Sequence, residues 1–305
     1  MRVLSFGSLN IDTVYHVDHI VAPGETISST GIDVNCGGKG LNQSIALARA
    51  GAAVWHAGLI GTDGEMLLDA LRSAGVETEL IGRTEEKSGN ALIQVDAGGQ
   101  NSIVLFGGAN QMIDEPYIRS VLAHFDAGDI LLIQNEISSL DSLVRIASKK
   151  RMRICFNPSP MDEKLRGFDY SAVDLLFLNE VEGEQITGKR EARDIMGSLE
   201  ERFPGMKTVL TLGSEGAVFS DGSGRERITQ KAWRVEAVDT TAAGDTFTGY
   251  FISEYYRSFR AEEALRIAGA ASAIAVSRPG ASVSIPTKEE TLQWLAAADR
   301  RQMES

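Results

Sequence analysis

The 305-residue chain is 43% apolar and contains seven prolines, which is enough apolar content for the core of an enzyme-sized α/β protein. Its 30 basic and 42 acidic residues give a net charge of −12, which argues against binding to nucleic acid or to an anionic membrane surface. Cys36 and Cys155 are too few for a disulfide framework or a cysteine-based zinc site, so we expect a cytoplasmic protein.

The first residues lead directly into an apolar run at 3–9, without the longer apolar core of a signal peptide. Further runs predict buried strands at 54–60, 130–134, 153–157, 175–178 and 208–212. Helical periodicity predicts helices at 40–51, 64–74, 138–150, 191–203 and 261–277. This alternation predicts an α/β fold with a doubly wound, mostly parallel sheet flanked by helices, in a single domain spanning residues 1–305. No run approaches the roughly 18 apolar residues of a membrane span.

Two regions interrupt the alternation and read as strand pairs. The first pairs 13–20 with 26–35 across Pro23-Gly24, and the second pairs 90–96 with 101–106 across 97–100. Together, segments 13–36 and 88–107 are predicted to form a small β-sheet that projects from the main domain. Such a sheet is placed to act as a lid over the carboxyl ends of the parallel strands, where ligands bind in these folds.

Several common site motifs are missing from the sequence. The Gly-Lys-Gly sequence at 38–40 lacks the Ser or Thr of a P-loop, and strand 3–9 carries only Gly7, so no dinucleotide fingerprint is present. No nucleophile elbow occurs. His16 and His19 have no third ligand nearby in sequence, which favours exposed strand residues over a metal site.

Residues 239–245 form a run of small residues that enters a helical segment and ends with Asp245. Small side chains at a helix start let backbone amides and the positive end of the helix dipole approach a phosphate. Asp245 would then lie beside the anion, within reach of a substrate hydroxyl whose proton must leave. The alternative is that Asp245 is only an N-cap or a first-turn acid, since Asp is favoured at both positions of a helix.

Polar residues also follow the predicted strands. Asn10 and Asp12 follow the first strand, Glu136 follows strand 130–134, and 37–42 lies where the small sheet returns to a helix. Carboxylates, amides and exposed backbone suit a polyhydroxylated ligand, since each hydroxyl both donates and accepts. The alternative is ordinary turn chemistry, which uses the same residue types.

The segment 37–43, Gly-Gly-Lys-Gly-Leu-Asn-Gln, together with 239–245, Asp-Thr-Thr-Ala-Ala-Gly-Asp, resembles the two signature segments of the ribokinase-like (PfkB) sugar and nucleoside kinases. Further matches span nearly the whole chain, at 7–12, 23–26, 157–160, 179–182, 211–216 and 275–281. The resemblance implies ATP-dependent phosphorylation of a sugar's primary hydroxyl, with ribose and its 5-phosphate as the expected substrate and product. It also implies a homodimer formed through the lid.

The resemblance implies a role for each matching residue. Asp245 would be the base and Ala242, Ala243 and Gly244 the anion hole. The sugar would be held by Asn10, Asp12, Gly38, Lys39, Asn42 and Glu136. Asn179 and Glu182 would organise Mg²⁺ through water, and ATP would lie along Asn179, Thr211, Gly213, Gly216 and Gly244. A monovalent cation, K⁺, would be bound by Asp239, Thr241, Ala275, Arg278, Gly280 and Ser284.

The sequence departs from the family pattern near the sugar and under the anion hole. Leu41 and Ser44 replace small residues, and segment 106–110 differs on the lid strand. Tyr250 replaces a small residue, which suggests a neighbour of the nucleotide. The substrate alternatives are another furanose, deoxyribose, pseudouridine or a nucleoside. A sugar-binding regulator without activity is a further alternative, although the expected catalytic residues are present.

Overall fold

The computed structural model describes residues 2–303. Its strands are β1 Arg2–Phe6, β2 Asn10–Val17, β3 Gly31–Gly37, β4 Ala53–Ala57, β5 Leu59–Ile60, β6 Gly82–Arg83, β7 Gly89–Asp96, β8 Asn101–Phe106, β9 Ile130–Gln134, β10 Arg153–Asn157, β11 Leu175–Asn179, β12 Lys207–Thr211, β13 Ala217–Ser220 and β14 Arg227–Gln230. Its α-helices are α1 Lys39–Arg49, α2 Glu65–Ser73, α3 Glu115–Leu122, α4 Leu140–Lys149, α5 Glu180–Thr187, α6 Ala192–Arg202, α7 Ala243–Ser258, α8 Ala261–Val276 and α9 Lys288–Met303.

The main sheet has eight strands in the order β14-β13-β12-β11-β10-β9-β1-β4. All neighbours from β12 to β4 are parallel, while β13 and β14 add an antiparallel edge. The parallel strands are nearly continuous apolar runs, such as the five fully buried residues of β9, because both of their faces are covered.

Two hydrophobic cores lie on opposite faces of this sheet. One face packs against α1, α2, α7 and α8, with Leu132 and Phe251 among its buried residues. The other packs against α3, α4 and α6, with Phe6 and Leu143 among its buried residues. The predicted doubly wound α/β arrangement is therefore confirmed.

A second sheet has four strands in the order β3-β2-β7-β8. Its two strand pairs were expected, but the strands of the first pair are shifted from the prediction. The first strand, β2, lies earlier in the chain than the predicted 13–20, and its partner β3 lies later than the predicted 26–35. Asn10 pairs with Gly37 and His16 with Gly31. The Pro23-Gly24 turn does form, with the Glu25 amide donating to Ala22. It lies inside the connection between β2 and β3 instead of joining the strand ends.

The edge strands β13 and β14 and the helices α3, α5 and α9 were not predicted. The edge strands are only four residues long, so their apolar periodicity is too short to stand out. Within residues 2–303, no helix is long and apolar enough to cross a membrane.

Candidate active site

The glycine-rich turn before α1 packs directly against the residues that follow β1. Gly38 has a φ of +92°, and a Cβ there would lie 3.1 Å from the backbone of Ser8 and of Asn10. A Cβ on Gly40 would lie 2.4 Å from the amide nitrogen of Ser8. Glycine at these positions is what lets the first turn of α1 approach the end of β1.

Two carboxylates face this turn. Glu136, which follows β9, accepts a hydrogen bond from the Lys39 amide at 3.0 Å and another from the Ser8 hydroxyl. Asp12 on β2 packs against Gly37, where a Cβ would lie 1.9 Å from Oδ2 of the carboxylate. Among the described residues, no side-chain or backbone group donates a hydrogen bond to the Asp12 carboxylate. Both of its oxygens are therefore free to accept from a ligand.

The charges in this cluster perturb one another. Burial, and then the negative charge of Glu136, raises the pKa of Asp12 to about 7. Burial also raises the pKa of Glu136. Burial opposes the charge on Lys39, but the carboxylates of Asp245, Glu136 and Glu182 outweigh it and raise the pKa of Lys39. The site therefore combines two carboxyl groups with raised pKa values and one fixed cation, a set that suits a neutral ligand with many hydroxyls.

Asn10 is held by a second amide. Its Oδ1 accepts from Nδ2 of Asn110 at 2.8 Å, and Oδ1 of Asn110 accepts from the Leu9 amide at 3.0 Å. This pairing fixes the Asn10 side chain so that its own Nδ2 remains available as a donor.

Asp245 is the third residue of α7 and is 7% exposed. Its Oδ2 accepts from Nδ2 of Asn42 at 3.1 Å, and its Oδ1 accepts from Nε2 of Gln43 at 2.9 Å. The N-cap of α7 is Ala242, and no side chain caps the helix. Asp245 thus bonds to α1 and is not the N-cap of its own helix, so the N-cap role is wrong, although Asp245 does lie in the first turn of α7.

The first turn of α7 presents free backbone donors. Ala242 has a φ of +59°, and the amides of Gly244 and Asp245 have no acceptor within residues 2–303. A Cβ on Gly244 would meet nothing within 4 Å. Open space in front of these two unpaired amides fits an anion. Of the residues predicted for the anion hole, Gly244 has a free amide, whereas the Ala243 amide donates to the Thr240 carbonyl.

The residues predicted for the nucleotide and Mg²⁺ follow β11 and β12. Asn179 and Glu182 form a capping box at the start of α5, each side chain accepting from the other residue's amide at 2.9 Å. Thr211 ends β12, and Gly213 and Gly216 follow it with positive φ values, which glycine adopts readily. The sheet order places this group on the β11–β12 side and the Asp12–Glu136 group on the β9–β1 side.

The two loops predicted to bind a cation are joined by Asp239. Its Oδ1 accepts from the Thr241 amide at 2.8 Å and its Oδ2 accepts from the Gly280 amide at 2.9 Å. Burial opposes ionisation, but these hydrogen bonds outweigh it and lower the pKa of Asp239. The remaining predicted ligands make local contacts: the Ala275 carbonyl accepts from the Arg278 amide, and the Ser284 hydroxyl donates to Ala281.

Comparison with known proteins identifies the family. Residues 1–288 match the model described as pfkB family carbohydrate kinase. The chain belongs to this family. The ribokinase of Haemophilus influenzae is 38% identical to this kinase over 305 residues, covering 96% of this chain and 97% of the relative.

Solved structures agree with this assignment. Ribokinase from Cryptococcus neoformans var. grubii, in complex with ADP, is 34% identical with a TM-score of 0.83, covering 96% of this kinase and 99% of that chain. Arabidopsis thaliana ribokinase, complexed with ribose and ATP, is 28% identical with a TM-score of 0.82, covering 96% and 98%.

Sequence reasoning assigned no role to four polar residues that the structure of the kinase places around the site. Ser8 contacts Glu136, and Asn110 holds Asn10. Gln43 contacts Asp245 and is itself contacted by Gln134. Gln43 lies in a signature segment, but a sequence does not show which buried amide faces which carboxylate.

The suggestion that Tyr250 neighbours the nucleotide is wrong. Tyr250 is fully buried, and its hydroxyl donates to the Pro286 carbonyl at 2.7 Å. In the kinase this tyrosine joins α7 to the segment before α9, so its size serves packing.

Proposed function

We propose that this kinase phosphorylates the primary hydroxyl of D-ribose with ATP, giving ribose 5-phosphate. The observation that carries the proposal is Asp245, a buried carboxylate held by α1 directly beside unpaired amides at the start of α7. The names of the relatives support ribose as the sugar, and the Asp12–Glu136–Lys39 cluster supplies acceptors and donors for several hydroxyls.

The chain's own groups account for the reaction. Asn10, Asp12, Gly38, Lys39, Asn42 and Glu136 bind the sugar and aim its primary hydroxyl at Asp245. Asp245 accepts the hydroxyl proton as the oxygen attacks the γ-phosphorus, and the bond from that phosphorus to the β–γ bridging oxygen breaks to release ADP. The unpaired amides of Gly244 and Asp245 stabilise the negative charge on the transferring group.

ATP is proposed to lie along Thr211, Gly213, Gly216 and Gly244, with Asn179 and Glu182 holding Mg²⁺ through water. Glu182 is 6% exposed, and its Oε2 is used by the capping box, which leaves Oε1 for a metal-bound water. Mg²⁺ would neutralise phosphate charge at this point.

A substrate panel tests the proposed activity. The protein is assayed with ATP and Mg²⁺ on ribose, deoxyribose, other furanoses, pseudouridine and nucleosides. The highest kcat/KM is expected for ribose, with a product phosphorylated at the primary hydroxyl. A higher value for another compound replaces ribose as the substrate, and binding of ribose without turnover of any compound favours the regulator.

Sugar affinity is expected to weaken in acid. Asp12 has a raised pKa of about 7, and only its ionised form accepts from two hydroxyls. Below that pH the carboxyl gains a proton, so kcat/KM for ribose falls by about tenfold per pH unit. The measurement is the pH profile of kcat/KM from pH 5.5 to 8.5 in the wild type and in Asp12→Asn. The fall of kcat/KM at low pH is expected in the wild type and not in Asp12→Asn. The same fall in both proteins would assign the titration to another group.

A monovalent cation is proposed between 239–241 and 275–284, bound by Asp239, Thr241, Ala275, Arg278, Gly280 and Ser284. Asp239 is half-buried and ionised, and no cationic side chain among the described residues pairs with it. A cation between the loops would offset the charge of Asp239, whose carboxylate joins the loops through the Thr241 and Gly280 amides, and would add positive charge beside the anion site.

Activity is therefore expected to depend on K⁺. K⁺ raises kcat at saturating ATP and ribose above the value in Na⁺ or Li⁺ at matched ionic strength, and Asp239→Ala abolishes the response. Glu236→Ala, at an exposed acid on the same segment, is the matched control and retains the response. Equal rates in K⁺, Na⁺ and a bulky organic cation would show that protein contacts alone close the loops.

The small sheet is proposed to serve as a lid within a single domain, and as the interface of a homodimer. Asp12 lies on one of its faces. On the opposite face Val34, Thr13, Leu92 and Val104 are in register across all four strands. Val34 is 53% and Val104 is 63% exposed, an apolar surface that a second copy would cover. Sedimentation velocity at micromolar concentration distinguishes the dimer from a monomer.

A further inference from the structure

A line of buried amides runs from the main sheet to Asp245. Gln134, the last residue of β9, donates from Nε2 to Oε1 of Gln43 at 2.7 Å. Gln43 on α1 then donates from its own Nε2 to Oδ1 of Asp245 at 2.9 Å. Both glutamines are fully buried.

The direction of this line is set by the carboxylate. An ionised Asp245 can only accept, so Gln43 must turn its NH₂ group toward it and its carbonyl oxygen away. That oxygen then requires a donor, and Gln134 supplies one. At the Gln134 end of the line, Oε1 of Gln134 is therefore buried without a hydrogen-bond partner among the described residues.

Leaving a buried amide oxygen unpaired is unfavourable, typically by about 1–3 kcal/mol. Packing alone does not require this arrangement, because two apolar side chains of similar length would fill the space without the cost. The unpaired oxygen is explained if the line exists to present one N–H to Asp245. The close approach of Gly7, where a Cβ would lie 2.1 Å from Oε1 of Gln134, confines the Gln134 amide as well.

We propose that Gln43 is a positioning residue for the proposed base, and that Gln134 holds Gln43 in the donating orientation. This inference rests on the proposed role of Asp245. Asn42 holds the second oxygen of Asp245, but it is also a predicted sugar ligand, whereas Gln43 is fully buried and contacts Asp245 without reaching the open site. With one oxygen tied to each neighbour on α1, the carboxylate is fixed in the orientation that receives the hydroxyl proton.

The first test removes the donor. Gln43→Met is expected to lower kcat by about 10–100-fold at saturating ATP and ribose, while the ribose KM changes less than about threefold. Gln43→Met also leaves the buried Gln134 amide without its partner, which lowers stability. The double variant Gln43→Met/Gln134→Met removes that unpaired amide, and the same loss of kcat is expected for it. The matched control is Ser253→Ala, which removes a buried hydrogen bond of 3.3 Å between α7 and the end of α1 and leaves kcat unchanged.

The second test replaces the donating amide of Gln43 with a group that accepts when it is ionised. Gln43→Glu places a carboxyl against Asp245, and that carboxyl donates only when it is protonated. The ratio of the variant's kcat to the wild-type kcat is therefore expected to rise as the pH is lowered from 8 to 6. A ratio independent of pH would overturn the inference, because a purely structural defect does not depend on this proton.

The third test separates this inference from the function on which it rests. In an Asp245→Asn background, Gln43→Met is expected to have no further effect on kcat, since its effect acts through Asp245. The same loss in both backgrounds overturns the positioning role while leaving the base intact. If Asp245→Asn alone leaves kcat unchanged, the base assignment fails, and the positioning role fails with it.

Discussion

Replacing Asp245 with asparagine is expected to lower kcat by roughly 10²–10⁴-fold, the usual contribution of a positioned general base. Ribose and ATP should still bind, because the asparagine keeps the size of the side chain and one acceptor oxygen. The amide that it introduces faces the donors of α1. Asn42 can turn to accept from it, since Oδ1 of Asn42 has no partner among the described residues. Steady-state rates with calorimetric binding of each ligand measure both outcomes.

Asp194→Asn is the matched control for this variant. Asp194 is the third residue of α6, as Asp245 is of α7, but it is exposed. If a first-turn acid acts only through the helix dipole, both replacements have similarly small effects on activity. A loss below about threefold for Asp245→Asn would remove Asp245 from the chemistry.

The central sheet was predictable because its strands are buried on both faces. The predicted strands 130–134 and 153–157 coincide with β9 and β10, whose apolar runs stand between polar, helix-forming segments. The first strand pair of the small sheet was misplaced because β3 has exposed or half-buried residues along most of its length. A strand with little buried surface gives only a weak register signal, so the position of the turn at Pro23-Gly24 was misleading.

The site was predictable to a similar degree. Residues at strand ends converge in any such sheet, so Asn10, Glu136 and Asn179 could be placed from the order of elements alone. Gly37 in the sequence is consistent with the position of Asp12, because only a glycine there leaves room for the Asp12 carboxylate. The contacts of Gln43 and Gln134 could not be predicted, because they depend on the packing distance between α1, α7 and β9. The same packing places Tyr250 in the core, against expectation.

Asp12→Ala tests the sugar side of the site independently of the chemistry. Asp12 has no protein donor within the described residues, so its oxygens are available to two sugar hydroxyls. Removing them leaves those hydroxyls unpaired in a desolvated site, which should cost roughly 2–4 kcal/mol in kcat/KM for ribose. ATP affinity measured without sugar should barely change, because Asp12 lies on β2 and the nucleotide residues follow β11 and β12.

Asp33→Ala is the matched control for Asp12→Ala. Asp33 is an exposed carboxylate on β3 that pairs with His16 at 2.7 Å, in the same small sheet as Asp12. A general loss of negative charge or of stability in this sheet would lower the activity of both variants alike. We expect kcat/KM to fall only for Asp12→Ala, because only its carboxylate approaches Glu136 and the start of α1. Equal losses of sugar and ATP affinity in Asp12→Ala would instead show that the small sheet closes over both ligands through packing, with no specific bond from Asp12 to the sugar.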